Sequence, residues 1–229
     1  MKPDIMHEGW WNLLKHKFED GTLSNIKNEL GKVKFSPENP KHIFRAFDLP
    51  LEQVKAVIVA LSPYMDDNAC GYAFATMKSQ YKDWPYSLKV IADSLCKEYQ
   101  MDVNTIDDYL PSDLVLWQMQ GVMMLNIALT TTKTDSKSHI ELWKPFMIEV
   151  FKVLAVRTNL IFYFMGNDAY EYAKYLDSSH FIYRSMNPEM LKLNKDLIFT
   201  ELEFDGHFYE VGEKYKEVYG STLDWVLPF

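Results

Sequence analysis

Residues 54–74 read VKAVIVALSPYMDDNACGYAF. Val54, Ala56, Val57, Ile58, Val59 and Ala60 form a short apolar run rich in β-branched side chains. That is the pattern of a strand buried on both faces of a parallel sheet. Ser62-Pro63-Tyr64 ends the run, and a polar loop follows through Asp66, Asp67, Asn68 and Gly71. Open α/β sheets bind ligands at the carboxyl ends of their strands, so this loop is where a site is expected.

Similar runs recur downstream. Val122–Ile127 and Asn159–Met165 read as the second and third strands, and Phe181–Tyr183 as a short fourth. Helical periodicity fills the intervals: residues 4–18 and 22–32 ahead of the first strand, Pro85 to Tyr99, Leu114–Met119, Ile140–Val156 and Ala169–Leu176. Residues 43–59 carry a helix or turn into the first strand, with Pro50 between them. Thr130–Ser138 and Ser185–Glu189 are polar loops. Strands alternating with helices predict an α/β fold, three layers α/β/α around a central four-stranded parallel sheet. At 229 residues a single domain, residues 1–229, is expected.

Composition narrows the function classes. The apolar share of 48% and the aromatic share of 15% belong to a globular chain. Cys70 and Cys96 offer neither a disulfide framework nor zinc spacing, so they read as free thiols of a cytoplasmic protein. No hydrophobic leader or membrane span is legible, and a monomer without metal or cofactor is expected. A net charge of −8 argues against a non-specific nucleic-acid binder, which displays a basic stripe. It leaves room for a DNA enzyme with a local basic or amide-rich face.

Several stretches resemble the main family of uracil-DNA glycosylases. The family's Gly-Gln-Asp-Pro-Tyr-His is represented by Ala60-Leu61-Ser62-Pro63-Tyr64-Met65, and its Trp-x-x-Gln-Gly-Val-x-x-Leu-Asn by Trp117 to Asn126. Residues 43–49, Leu129-Thr130, Ser138-His139, Trp143, Phe146, residues 161–166 and Leu223-Asp224-Trp225 follow in the family's order. The resemblance implies DNA as partner and hydrolysis of an N-glycosidic bond on a base flipped out of the helix. It also implies roles for individual residues. Leu61, Tyr64, Phe74 and Asn126 would surround the base: Asn126 reading a pyrimidine edge, Phe74 stacking, Tyr64 crowding C5. Ser87, Asn167 and Ser185 fall near the phosphate-contacting positions, and Leu191 matches the wedge that fills the vacated stack.

Two positions depart from the pattern. Ser62 stands where the family has its water-activating aspartate, and a hydroxyl cannot supply the negative charge that stabilises a cationic sugar. Asn187-Pro188 stands for His-Pro, and an amide can still donate to a base oxygen. Asp66 and Asp67 are candidate substitutes for the missing carboxylate; the alternative is a pair of solvated loop carboxylates. Asn126 and Phe74 likewise have plain alternatives, a loop-bonding amide and a core ring. Taken together, the pattern predicts a DNA glycosylase retooled for a modified pyrimidine, for example a modified cytosine of phage DNA in antiviral defence. The competing expectations are a catalytically silent DNA- or protein-binding factor and a uracil repair enzyme. A cavity filled by Met65, Met186 or Tyr72 would favour the silent factor. A nucleotide-binding domain of another kind is set aside, since no phosphate loop occurs.

Overall fold

The computed structural model describes residues 5–193 and 206–227. In chain order the helices are α1 (Glu8–Leu14), α2 (His16–Glu19), α3 (Thr22–Leu30), α4 (Pro40–Ile43), α5 (Tyr86–Tyr99), α6 (Val115–Met119), α7 (Ile140–Ala155), α8 (Asn167–Tyr170), α9 (Met190–Leu193) and α10 (Phe208–Tyr219). The strands are β1 (Phe35–Ser36), β2 (Ala56–Ala60), β3 (Val122–Asn126), β4 (Thr131–Thr132), β5 (Ile161–Met165) and β6 (Phe181–Ser185). Among the described residues, four strands pair in parallel in the order β3-β2-β5-β6. Every residue of β2, β3 and β5 is buried, which is why these segments read as continuous apolar runs.

The alternation of side chains along β5 builds the two outer layers. Phe162 and Phe164 point to one face and stack on Phe151 of α7 at 6.3 and 6.2 Å between ring centroids. Tyr163, between them, points to the other face and meets Phe208 of α10 edge-on at 5.5 Å. The expected three-layer fold is therefore present, with α7 and α10 on opposite faces.

The Trp-x-x-Gln-Gly stretch ahead of β3 is a docking point for the end of the chain. Trp117 Nε1 donates to the Trp225 carbonyl at 2.8 Å. Gln120 bonds both backbone groups of Asp224, its Nε2 donating to the carbonyl and its Oε1 accepting the N–H, each at 2.8 Å. The two stretches, far apart in sequence, satisfy each other's buried polar groups.

Several boundaries differ from the expectation. The first helix is split at Lys15 into α1 and α2, and its expected start at residue 4 lies outside the described residues. Residues 43–53 hold two short 3₁₀ turns, Arg45–Asp48 and Leu51–Gln53. The first strand begins at Ala56, because the N–H groups of Lys55 and Ala56 both turn to the Gly121 carbonyl. Asn159 has φ +61° and forms a turn ahead of β5. The loop after β3 contains β4, which pairs antiparallel with β1. Helix α10 was not foreseen.

Gly121 turns the chain into β3 at φ +91°, and an added Cβ would lie 2.6 Å from the Gln53 carbonyl oxygen. Gly121→Ala is expected to lower unfolding free energy by about 2 kcal/mol or more, from left-handed strain and the clash. Urea titration should show a lower midpoint at unchanged slope.

Candidate active site

Backbone pairing continues past the last residues of the sheet. The Ile127 N–H donates to the Ala60 carbonyl at 2.9 Å and the Ala128 N–H to the Leu61 carbonyl at 3.0 Å. Ser62 is thus delivered at a fixed place, beside a cavity of about 720 Å³ at the carboxyl ends of β2 and β5. Leu61, Ser62, Tyr64, Phe74, Ser87, Asn167 and Asn187 all line it.

The wall is held by hydrogen bonds. Tyr64 Oη donates to the Phe74 carbonyl at 2.7 Å and accepts from Ser87 Oγ at 3.2 Å. Burial pushes the Tyr64 hydroxyl far above its ordinary value, so it stays a neutral donor. Phe74 sits in the left-handed region, at φ +65°. The Ala73 N–H holds this segment against β3 by donating to the Met124 carbonyl at 3.2 Å. Arg45 adds two more restraints, donating to the Cys70 carbonyl at 3.0 Å and lying 4.4 Å from the centre of the Tyr72 ring. A bulky residue in the left-handed region costs on the order of 1–3 kcal/mol, and such strain persists only where surroundings impose it.

On the opposite wall, Gly166 at φ +108° leaves β5, and an added Cβ would approach Asn187 Cβ to 3.1 Å. Asn187 Oδ1 accepts the Glu189 N–H at 3.0 Å. That bond fixes the orientation of the amide and leaves Nδ2 as its donor.

Other expected site residues lie elsewhere. The Asp66 carboxylate accepts from Asn68 N and Nδ2 at 3.0 and 2.7 Å, closing its own turn. Asp67 is an exposed partner of Lys133 at 2.9 Å. Neither is among the residues that line the cavity; both are loop carboxylates engaged elsewhere. Asn126 lies in register with Ala60 but is 2% exposed and does not line the cavity, and its Oδ1 has no hydrogen-bond partner. Ser185 is buried and donates to the Met186 carbonyl at 3.2 Å. Leu191 is half-buried on α9, outside the cavity lining. The Ser87 hydroxyl is engaged by Tyr64, and Asn167 Oδ1 by Arg184 Nη2 at 2.9 Å.

Sequence reasoning missed Ser136, Lys137, Asp168 and Glu189, which also line the cavity. Met65, Met186 and Tyr72 contribute to its walls without filling it. Among the described residues the site therefore offers a hydroxyl, an amide donor and an aromatic surface, with carboxylates at Asp168 and Glu189. Among the described residues no cluster of three or more metal-ligating side chains occurs, and no helix is long and apolar enough to cross a membrane.

Comparison with known proteins bears on this arrangement. The family model described as "Uracil DNA glycosylase superfamily" matches residues 47–207. A uracil-DNA glycosylase of Borrelia hermsii is 32% identical over 96% of this chain and 98% of its own. One from Caenorhabditis elegans is 30% identical over 85% of this chain and 71% of its own. The crystal structure of mimivirus uracil-DNA glycosylase superposes with a TM-score of 0.79 at 20% identity, covering 96% of this chain and 87% of the other.

His139, from the Ser-His pair, is buried, with Nδ1 3.0 Å from Thr130 Oγ1. Burial lowers its proton affinity, against a hydrogen bond to Thr130 and the charge of Asp135. The unfolded chain therefore binds the proton more readily. Stability is expected to hold above about pH 6.5 and to fall as pH drops toward the lowered folded-state value. His139→Gln should flatten this part of the pH–stability curve; an unchanged slope would rule the residue out as its source.

Proposed function

The chain belongs to the uracil-DNA glycosylase superfamily, and from that premise we propose that it is a DNA glycosylase that takes a flipped base into the cavity beside Ser62, hydrolyses its N-glycosidic bond and leaves an abasic site. The observation that carries this reading is the open cavity where Ser62, Tyr64, Phe74 and Asn187 converge. A hydroxyl can hold the water, a ring can stack on the base, and a fixed amide N–H can donate to the base oxygen as negative charge develops there. A cavity of about 720 Å³ falls among sites that take drug-sized ligands, roughly 300–1,000 Å³.

We infer further that the substrate is a modified pyrimidine. Ser62 brings no negative charge to the oxocarbenium-like sugar, so the chemistry favours a base that departs more readily than uracil. The room in the cavity supports a base that carries a substituent. Modified cytosines of phage DNA carry such a substituent; cytosine departs less readily than uracil, so their removal, which would act as antiviral defence, asks more of the Asn187 donor.

One observation favours a second reading, the silent binding factor: Asn126, the expected base reader, is 2% exposed and is not among the residues that line the cavity. Base release separates the two. Purified protein is incubated with labelled oligonucleotides carrying uracil, cytosine, hydroxymethylcytosine, glucosylated hydroxymethylcytosine or hydroxymethyluracil, and abasic sites are cut with alkali. Release of a modified base is expected, with Asn187→Ala slower by about 10²–10³-fold, the scale of losing one preorganised donor. Release confined to uracil would return the protein to repair. Binding without release from any substrate would establish the silent factor.

A further inference from the structure

The cavity lining includes a cation that the sequence pattern did not single out, Lys137, alongside the carboxylates of Asp168 and Glu189. Lys137 lines the cavity from the loop after β4, and its Nζ lies 2.7 Å from Asp168 Oδ2 in α8. Lys137 lies between β4 and α7, and Asp168 in α8 directly after β5, so the pair joins the segments that follow β3 and β5 beside the cavity. Ser136 and Asn167, their chain neighbours, line the cavity as well.

Lys133, on the same loop, provides the contrast. It is held by two carboxylates, Glu38 at 2.6 Å and Asp67 at 2.9 Å, with its side chain 34% exposed. Lys137 makes its ion pair with Asp168 in the open, the two side chains being 59% and 43% exposed. An ion pair so exposed is weak, and the ammonium has three donors, so a second anion can share or replace the carboxylate at little cost. In a chain of net charge −8, approach of a polyanion needs a local cation where the substrate enters.

We propose that Lys137 binds a phosphate of the nucleotide whose base enters the cavity, and that Asp168 holds the ammonium across the mouth until the phosphodiester takes it over. The proposal rests on the DNA reading above. Asp168 plays two parts in it. It places Lys137 at the entrance in the absence of DNA, and it competes with the phosphate for the same charge.

The competition predicts opposite effects from the two partners. The probe is a short fluorescein-labelled single-stranded oligonucleotide of mixed sequence, titrated by anisotropy over a salt series. Lys137→Gln is expected to weaken binding about three- to tenfold and to reduce the salt slope by about 0.7, one phosphate contact on a single strand. Lys137→Arg should retain both. Asp168→Asn should tighten binding, and the gain should vanish in the Lys137→Gln background, since Asp168 then has no ammonium to withhold. Unchanged affinity and slope in Lys137→Gln would overturn the proposal. So would an Asp168→Asn gain that persists in full without Lys137, which is what plain repulsion of the backbone by a carboxylate produces. If the unaltered protein fails to bind the oligonucleotide at low salt, the DNA reading itself falls and takes this proposal with it.

Discussion

The site depends on how β2 is held in register. Its five residues, Ala56–Ala60, are apolar and buried on both faces, so hydrophobic pattern alone does not tell the strand where to stop sliding. The ends supply that information. At the entrance, the N–H groups of Lys55 and Ala56 both bond the Gly121 carbonyl; at the exit, the Ala60 and Leu61 carbonyls take the N–H groups of Ile127 and Ala128. A shift by one residue would break these bonds and leave buried backbone groups unpaired, a larger loss than any repacking of Val for Ile could offset. Ser62 is where it is because the residues on either side of the strand cannot be elsewhere.

Outward from β2, the layers follow from alternation. Phe162 and Phe164 serve one face and Tyr163 the other, and that much is written in the run of residues 159–165. Helix α10 carries a similar signal, its buried Phe208, Val211 and Tyr215 standing at i, i+3 and i+7, the spacing of an amphipathic helix. What anchors the C-terminal segment is not a periodic signal. Trp225 Nε1 donates to the Phe208 carbonyl at 2.8 Å while its own carbonyl accepts from Trp117. A tryptophan used as a double connector looks, in sequence, like any other core tryptophan.

The site was legible in part for a related reason. Ser62, Tyr64, Phe74 and Asn187 follow strand ends or a loop pinned to the sheet, so their chain position implied their place. Asp66 and Asp67 occupy a turn, where a carboxylate can face inward or close the turn on itself, and residue order does not distinguish the two. Asn126 shows the same limit at finer scale: register with Ala60 puts its backbone beside the cavity, yet its side chain is buried and is not part of the lining. Lys137 and Asp168 meet only because two loops from different strands converge, a juxtaposition that no local pattern encodes.

These placements have a common chemical consequence. Among the described residues that line the cavity are a neutral hydroxyl at Ser62 and a neutral amide at Asn187, and the carboxylates are Asp168, paired with Lys137, and Glu189, whose N–H is tied to Asn187. With Asp168 paired to Lys137, its charge toward a developing sugar cation is partly offset. Hydrogen-bond donors aimed at the departing base act at contact. On the proposed reading, the balance of catalysis moves from the sugar to the leaving group: with Ser62 in place of a carboxylate, hydrolysis would depend on how well the base accepts negative charge and on the orientation of the Asn187 amide.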